Sequence, residues 1–382
     1  MGVSSSAPPS ATGLAAQLVP RRLPEFPWDR LAAYKQRAAS HVDGLVDLSI
    51  GTPVDSTPAS VQAALKASAD APGYPTVWGT AELRASIIGY LMHRCGSVDL
   101  DDDCVLPTVG SKELVAALPA QLGVTPGQTV LVPEVAYPTY AVGALLAGAD
   151  WLATDSTLAA GPRAVPLVWV NTPANPTGRV LPAAHLRKVV AWARERGAVV
   201  ASDECYFEYA WDAEAVSVLD PAVNQGSLDS VLAVHSLSKR SNLAGYRAGF
   251  VAGDPRLVSA LREVRRHAGL MVPAPVQAAM GAALDDDEHV EEQRERYRHR
   301  RSVLRDALQA AGFRVDLSEG SLYLWASRGE PCLDTVSWLA DRGILVAPGD
   351  FYGAAGGDHV RVAFTATDDR IAAATTRLIN HP

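Results

Sequence analysis

The chain has 382 residues, more than one compact domain usually holds, so a larger and a smaller domain are expected. With 48% hydrophobic and 20% charged residues, the composition excludes a mainly disordered chain. The formal charge of −8 gives no general attraction to phosphate backbones or anionic lipid, which argues against nucleic acid or a membrane as a partner.

No apolar run approaches the roughly 20 residues that span a bilayer. Cys95, Cys104, Cys205 and Cys332 are scattered without a C-x-x-C pair, which argues against a metal site or a disulfide framework and fits a cytoplasmic protein. Residues 1–23, rich in Ser, Ala and Pro, lack the basic and apolar regions of a secretion signal and read as a flexible tail. Their MGVSSS start matches the myristoylation pattern only formally, because no second membrane signal accompanies it.

Residues 24–50 are expected to join a small domain, since LVDLSIG (45–51) reads as a strand packing there. In 51–290, expected to be the large domain, apolar runs alternate with helical stretches. CVLPTV (104–109) precedes KELVAALPAQL, TVLVPE (129–134) precedes AYPTYAVGALLAG, and PLVWVN (166–171) precedes PAAHLRKVVAWARERG. AVVASDE (198–204) and VLAVHS (231–236) continue the series. Such a pattern predicts a mostly parallel sheet covered by helices on both faces. The stretch 284–312 reads as a long helix, acidic first and arginine-rich later, with most of its charges in solvent. Residues 291–382 then supply an interdomain helix and a small α+β domain with strands in FRVDLS, LYLWAS, ILVAPG and HVRVAF.

Ligands of open α/β sheets gather outside the carboxyl ends of the strands. There the chain delivers Gly110-Ser111-Lys112, Asn175 in NTPANPTG, Asp203 in SDECY and Lys239 in SLSK. A Gly-Ser pair opening a helix can hold a phosphate on free N–H groups, although neither a nucleoside-triphosphate loop nor a dinucleotide fingerprint is present. Asp203, closing the apolar run AVVAS, needs a cationic partner. Desolvation and Arg247 can lower the pKa of the Lys239 amine, making it a nucleophile toward an aldehyde. Arg247 can also grip a phosphate as a fork, assisted by Ser236 and Ser238. A phosphate, an aldehyde and a basic ring nitrogen coexist in pyridoxal 5′-phosphate.

NPTG, SDE-x-Y, S-x-SK and GYRAG, in that order, resemble the class I/II aminotransferases among the fold-type-I pyridoxal-phosphate enzymes. The resemblance covers nearly the whole chain after the tail. It implies an α/β fold: a large domain with a mostly parallel central sheet covered by helices, and a smaller α+β domain. It implies that Lys239 is the catalytic lysine, bonding the cofactor aldehyde and shuttling protons, and that Asp203 faces the pyridine nitrogen. Asn175 and Tyr206 would hydrogen-bond the ring's phenolic oxygen, and Tyr137 would stack on the ring, with Tyr140 as the alternative. Gly110, Ser111, Lys112, Ser236, Ser238 and Arg247 would form the phosphate cup. Tyr74 would reach the phosphate of a neighbouring subunit, making the site a property of a homodimer. Arg361 would grip the substrate α-carboxylate, and Gly51 would line that pocket.

The implied reaction is a ping-pong exchange of nitrogen between an amino acid and a 2-oxo acid. LSIGTPVDSTP, APGYPTVWGTAELR, HAGLMVPAPVQAAM, LYLWASRGEPC and VAPGDFYG are most similar to the bacterial N-succinyldiaminopimelate aminotransferases of lysine biosynthesis. Their reaction exchanges nitrogen between N-succinyl-LL-2,6-diaminopimelate and 2-oxoglutarate. Distal carboxylates call for a second cation, with Lys112, Arg22, Arg265, Arg266 and His267 as candidates. An aspartate, aromatic or broad-range aminotransferase, or a C–S lyase of the same fold, remains an open alternative.

Overall fold

A computed structural model describes residues 23–379; Arg22, the MGVSSS start and the rest of the tail before Leu23 lie outside the described residues. In chain order the strands are β1 (Val46–Asp47), β2 (Val105–Val109), β3 (Thr129–Val132), β4 (Asp150–Ala153), β5 (Leu167–Asn171), β6 (Val199–Asp203), β7 (Val231–Ser236), β8 (Ala248–Gly253), β9 (Arg314–Asp316), β10 (Tyr323–Ser327), β11 (Ile344–Leu345), β12 (Ala347–Pro348) and β13 (Val360–Ala363). The central sheet has the order β2-β8-β7-β6-β5-β3-β4. From β4 to β7 every pairing is parallel, whereas β8 runs antiparallel to both β2 and β7.

The apolar runs read from sequence become β2, β3, β5, β6 and β7, and all but the ends of these strands are buried. Their faces are covered by two apolar layers. One contains Leu83, Ile87, Leu186, Val190 and Met280, the other Leu114, Leu118, Tyr140, Ala144 and Leu261. The sequence reading did not pick out β4 or β8. β8 hides in a glycine-containing stretch, and residues 237–247 are too few for a parallel crossover, so the chain folds back on itself. Gly249 makes this approach possible, because a Cβ there would sit 2.9 Å from the His235 carbonyl oxygen and 3.2 Å from the Ser111 nitrogen.

A second core is built on the antiparallel order β12-β13-β10-β9, with β1 pairing in parallel with β11. Leu31, Val46 and Leu48 pack there against Leu304, Leu308, Trp325 and Ile371. The long charged helix spans Glu288–Ala310. Most of its charges face solvent, as the pattern predicts, but Arg300 and Arg301 are buried. Arg300 reaches both oxygens of Asp55 at 2.7 and 2.9 Å and Asp368 at 2.6 Å, and Arg301 pairs with Asp212. These pairs tie the helix to the segment after Gly51 and to the C-terminal helix Asp368–Ile379. None of the described helices is long and apolar enough to cross a membrane.

Candidate active site

The carboxyl ends of β5, β6 and β7 open onto a cavity of about 590 Å³, closed from the opposite side by residues 26–28 and 50–52 and by Tyr323 and Arg361. At the end of β7, Ser236 Oγ accepts the Ser238 N–H at 3.2 Å and caps the single turn Leu237–Arg240. That turn brings Lys239 to the cavity wall, where its Nζ donates to the Gly51 carbonyl and its own carbonyl accepts the Tyr209 hydroxyl at 2.8 Å. Burial holds the Lys239 pKa down at about 8, with Arg361 and Arg247 adding to the effect and Cys205 opposing it. The amine of the cofactor-free protein is therefore expected to become reactive as pH rises through about 8, rather than near the value of an exposed lysine. Quantifying Lys239 modification by an amine-directed reagent across pH, by mass spectrometry, checks this; a midpoint near that of surface lysines would contradict it.

Asp203 ends β6 and is 4% exposed. It accepts the Tyr140 hydroxyl at 2.8 Å and the Cys205 N–H at 3.2 Å. Asn171 braces this corner: its amide donates to the Asp203 carbonyl at 2.8 Å and its oxygen accepts the Asn175 N–H at 2.7 Å. Burial raises the Asp203 pKa, and the bonds from Tyr140 and Cys205 only partly offset it. No described lysine or arginine pairs with this carboxylate, so a basic ring nitrogen is the counter-charge the position fits.

The two tyrosines of AYPTY separate. Tyr140 is 1% exposed, stacks on Trp169 with centroids 4.9 Å apart, and spends its hydroxyl on Asp203, whereas half-buried Tyr137 stands at the cavity wall. Removing only that hydroxyl with Tyr140→Phe is expected to lower kcat roughly tenfold with little change in KM, the scale of one hydrogen bond to a charged group. Steady-state kinetics check this, and an unchanged kcat would make Tyr140 a packing residue only.

At the other end of the cavity, Gly110 has φ +75°, and a Cβ there would collide with the Arg247 guanidinium. Arg247 itself adopts a left-handed backbone, φ 56°, which turns it back toward the start of the helix Ser111–Gln121. Ser111, Ser236, Ser238 and Arg247 all line the cavity, an arrangement of helix N-terminus, hydroxyls and guanidinium suited to a phosphate. Lys112 lies over the rings of Phe26 and Tyr137 at 5.7 and 5.9 Å.

Arg361, on β13, is 2% exposed. Its two terminal nitrogens donate to Asn175 Oδ1 at 2.9 Å and the Ser49 carbonyl at 2.6 Å, and its Cζ stands 4.1 Å from the centroid of the Tyr323 ring. Its Nε is buried without a partner, and no described carboxylate neutralises it. A buried guanidinium so arranged suits a carboxylate brought by a ligand. Gly51 must be glycine, because a Cβ would run into the Tyr323 ring. Tyr206 also lines the cavity, its hydroxyl 2.8 Å from that of Tyr323.

Not every predicted residue gathers here. Tyr74 is 97% exposed and lies outside this cavity. Arg265 is fully buried but held by Glu113 at 2.7 and 3.1 Å, while Arg266 and His267 are exposed beside Glu263. Of the cations weighed for a distal carboxylate, Lys112 alone among the described residues lines the cavity. Sequence reasoning missed Phe26, Trp28, Asn171, Cys205 and Tyr323. Alternation along LYLW puts Tyr323 and Trp325 on one face, but nothing local says that this face meets Arg361.

A cavity offering an amine, an unpaired buried acid and two anion grips matches the aldehyde, ring nitrogen and phosphate of a single ligand, which places the protein among the pyridoxal-phosphate-dependent enzymes. The chain belongs to the class I and II aminotransferases, whose family profile matches residues 43–378. It is 61% identical over 358 residues to a 4-dedimethylamino-4-oxo-anhydrotetracycline transaminase of Streptomyces rimosus, covering 94% of this chain and 99% of that one. It is 58% identical over 372 residues to a protein named as a probable aminotransferase of Mycobacterium tuberculosis, covering 97% and 88%. Among solved structures, a probable N-succinyldiaminopimelate aminotransferase of Thermus thermophilus matches with TM-score 0.84 and 27% identity, covering 93% of this chain and all of that one.

Proposed function

We propose that this aminotransferase exchanges nitrogen between N-succinyl-LL-2,6-diaminopimelate and 2-oxoglutarate in the cytoplasm, as a step of lysine and diaminopimelate biosynthesis. The observation that carries the reading is the presence in one cavity of Lys239, with its depressed pKa, and of Arg361, a buried guanidinium without an acid of its own. Lys112 at the wall gives a second cation for a distal carboxylate. The likeness of five sequence segments to N-succinyldiaminopimelate aminotransferases, and the fold match to one named so, support the donor.

Bound pyridoxal phosphate supplies an electron sink for charge developing at the substrate α-carbon. The chain does the rest. Lys239 would bond the cofactor aldehyde when no substrate is present, and its freed amine would take the substrate α-proton and deliver it to the carbon that had been that aldehyde. Asp203 keeps a proton on the ring nitrogen, with Tyr140 and Asn171 fixing its position. Asn175 and Tyr206 bond the phenolic oxygen, and Tyr137 covers the ring. Gly110, Ser111, Ser236, Ser238 and Arg247 hold the phosphate, which leaves Lys112 for the distal carboxylate. Arg361, with Gly51 beside it, aligns the α-carboxylate so that the bond to be broken faces Lys239. Exposed Tyr74 completes the phosphate site of a second subunit in a homodimer. In this reading 24–50 and 291–382 form the small domain and interdomain helix beside a large domain of 51–290.

A second reading has its own support. The Streptomyces rimosus relative, by its name, acts on a 4-oxo-anhydrotetracycline, so this chain would aminate a polycyclic ketone with the same cofactor chemistry. Visible spectra of the cofactor-loaded enzyme separate the two. The aldehyde band should convert to the amine form on adding N-succinyl-LL-diaminopimelate without any oxo acid. Conversion by glutamate alone would sink that donor and leave the ketone, or a broad-range activity, to be tested as acceptor. Steady release of pyruvate and ammonia from a cysteine conjugate, with no acceptor, would instead identify a C–S lyase.

A further inference from the structure

His359 stands two residues before Arg361, next to the sheet that carries it. Its Nδ1 lies 2.7 Å from Asp358 Oδ1 and its Nε2 2.7 Å from Asp316 Oδ2. The side chain is 12% exposed, and the ring lies flat on Trp325, centroids 4.9 Å apart with 5° between planes. A neutral imidazole has one N–H and one lone pair, so either tautomer would set a lone pair against a carboxylate. An imidazolium donates to both. Asp316 is fixed in turn by Arg314, which reaches its two oxygens at 2.8 and 2.7 Å. Against a partial burial that would raise it, the bonds from His359 and Arg314 keep the Asp316 carboxyl below its ordinary range.

The contact continues to the substrate end of the sheet. Trp325 on β10 is the register partner of Arg361 on β13, and Tyr323, two residues earlier on the same face, carries the Arg361 guanidinium. Trp325 is also confined by two glycines: a Cβ at Gly349 or Gly356 would lie only 2.8 or 3.2 Å from its Cη2 atom. The Gly349 N–H bonds the His359 carbonyl at 2.8 Å. A change at the imidazole is therefore passed to Trp325 and to the strand beneath Arg361, with little room to relax elsewhere.

We propose that His359, clamped between Asp316 and Asp358, is a positioning residue that sets Arg361 for the substrate carboxylate; this rests on the carboxylate-gripping reading of Arg361 above. Nitrogen-15 NMR of histidine-labelled enzyme tests the clamp directly: the resonances lost in His359→Gln should be those of a ring hydrogen-bonded at both nitrogens, and a ring free at either nitrogen overturns the proposal without any variant having to function. In kinetics, cofactor-loaded His359→Gln is expected to raise KM for glutamate and 2-oxoglutarate about tenfold while kcat stays within about twofold. An unchanged KM, or equal losses in kcat and kcat/KM, overturns it. Arg361→Ala is the reference: if it too leaves KM unchanged, the carboxylate reading itself falls, whereas a raised KM there with none in His359→Gln removes only the role of His359.

Discussion

Replacing Lys239 by alanine is expected to reduce transamination by about 10⁴-fold or more, because the variant loses the amine proposed both as nucleophile and as carrier of the α-proton. The cavity would still hold pyridoxal phosphate through Ser111, Ser236, Ser238 and Arg247, so binding should survive in non-covalent form. Borohydride reduction followed by mass spectrometry should fix cofactor to Lys239 in the wild type and leave the variant unlabelled. Single-turnover kinetics with glutamate measure the rate loss, and a wild-type rate in Lys239→Ala would remove the proposed site altogether. The geometry makes Lys239 hard to replace. Its Nζ is the only lysine amine among the described residues that shares the cavity with Asp203 at one side and Arg361 at the other, apart from Lys112, which is held over Phe26 and Tyr137.

The second large effect is expected at Asp203. Asp203→Asn keeps the size and an acceptor for Tyr140 but removes the charge proposed to hold a proton on the ring nitrogen, and kcat should fall on the order of 10²- to 10³-fold. Stability should move the other way. Burial raises the pKa of this carboxyl, so the folded cofactor-free protein favours the protonated acid and carries an unfavourable charge at higher pH. The destabilisation is absent below the unfolded carboxyl pKa and fully present above the folded one. Asp203→Asn should therefore raise the melting temperature of the cofactor-free protein at neutral pH, with a smaller gain in acid. Calorimetry against pH, set beside turnover, would show a site held at a cost to stability. A variant with wild-type kcat, or one less stable without cofactor, would contradict the role given to Asp203.

Much of the site was legible because its chemistry is carried in short segments at the ends of strands. Asp203 ends β6, Ser236 ends β7 and Lys239 follows within one turn, so hydrophobic runs alone locate these residues at one edge of the sheet. The antiparallel course of β8 was less visible, since glycine-containing RAGFVAG lacks the β-branched density of its neighbours. Most charges of helix Glu288–Ala310 face solvent as read, but composition cannot say which arginines turn inward; only packing reveals that Arg300 meets Asp55 and Asp368.

By itself the sequence determined the α/β class, the parallel core strands, the cofactor and the reaction class, because each is carried by short segments whose local pattern, an apolar run ending in a polar group, can be read without knowing what they meet. The tertiary structure decided the choices that join distant parts. Arg361 meets Asn175 across 186 positions of sequence, Lys239 meets Gly51 across 188, and Tyr140 rather than Tyr137 takes the Asp203 carboxylate across 63. Which of two nearby tyrosines turns inward, and which arginine is left without an acid, is fixed only when separate layers close on each other and the last buried polar groups find their partners.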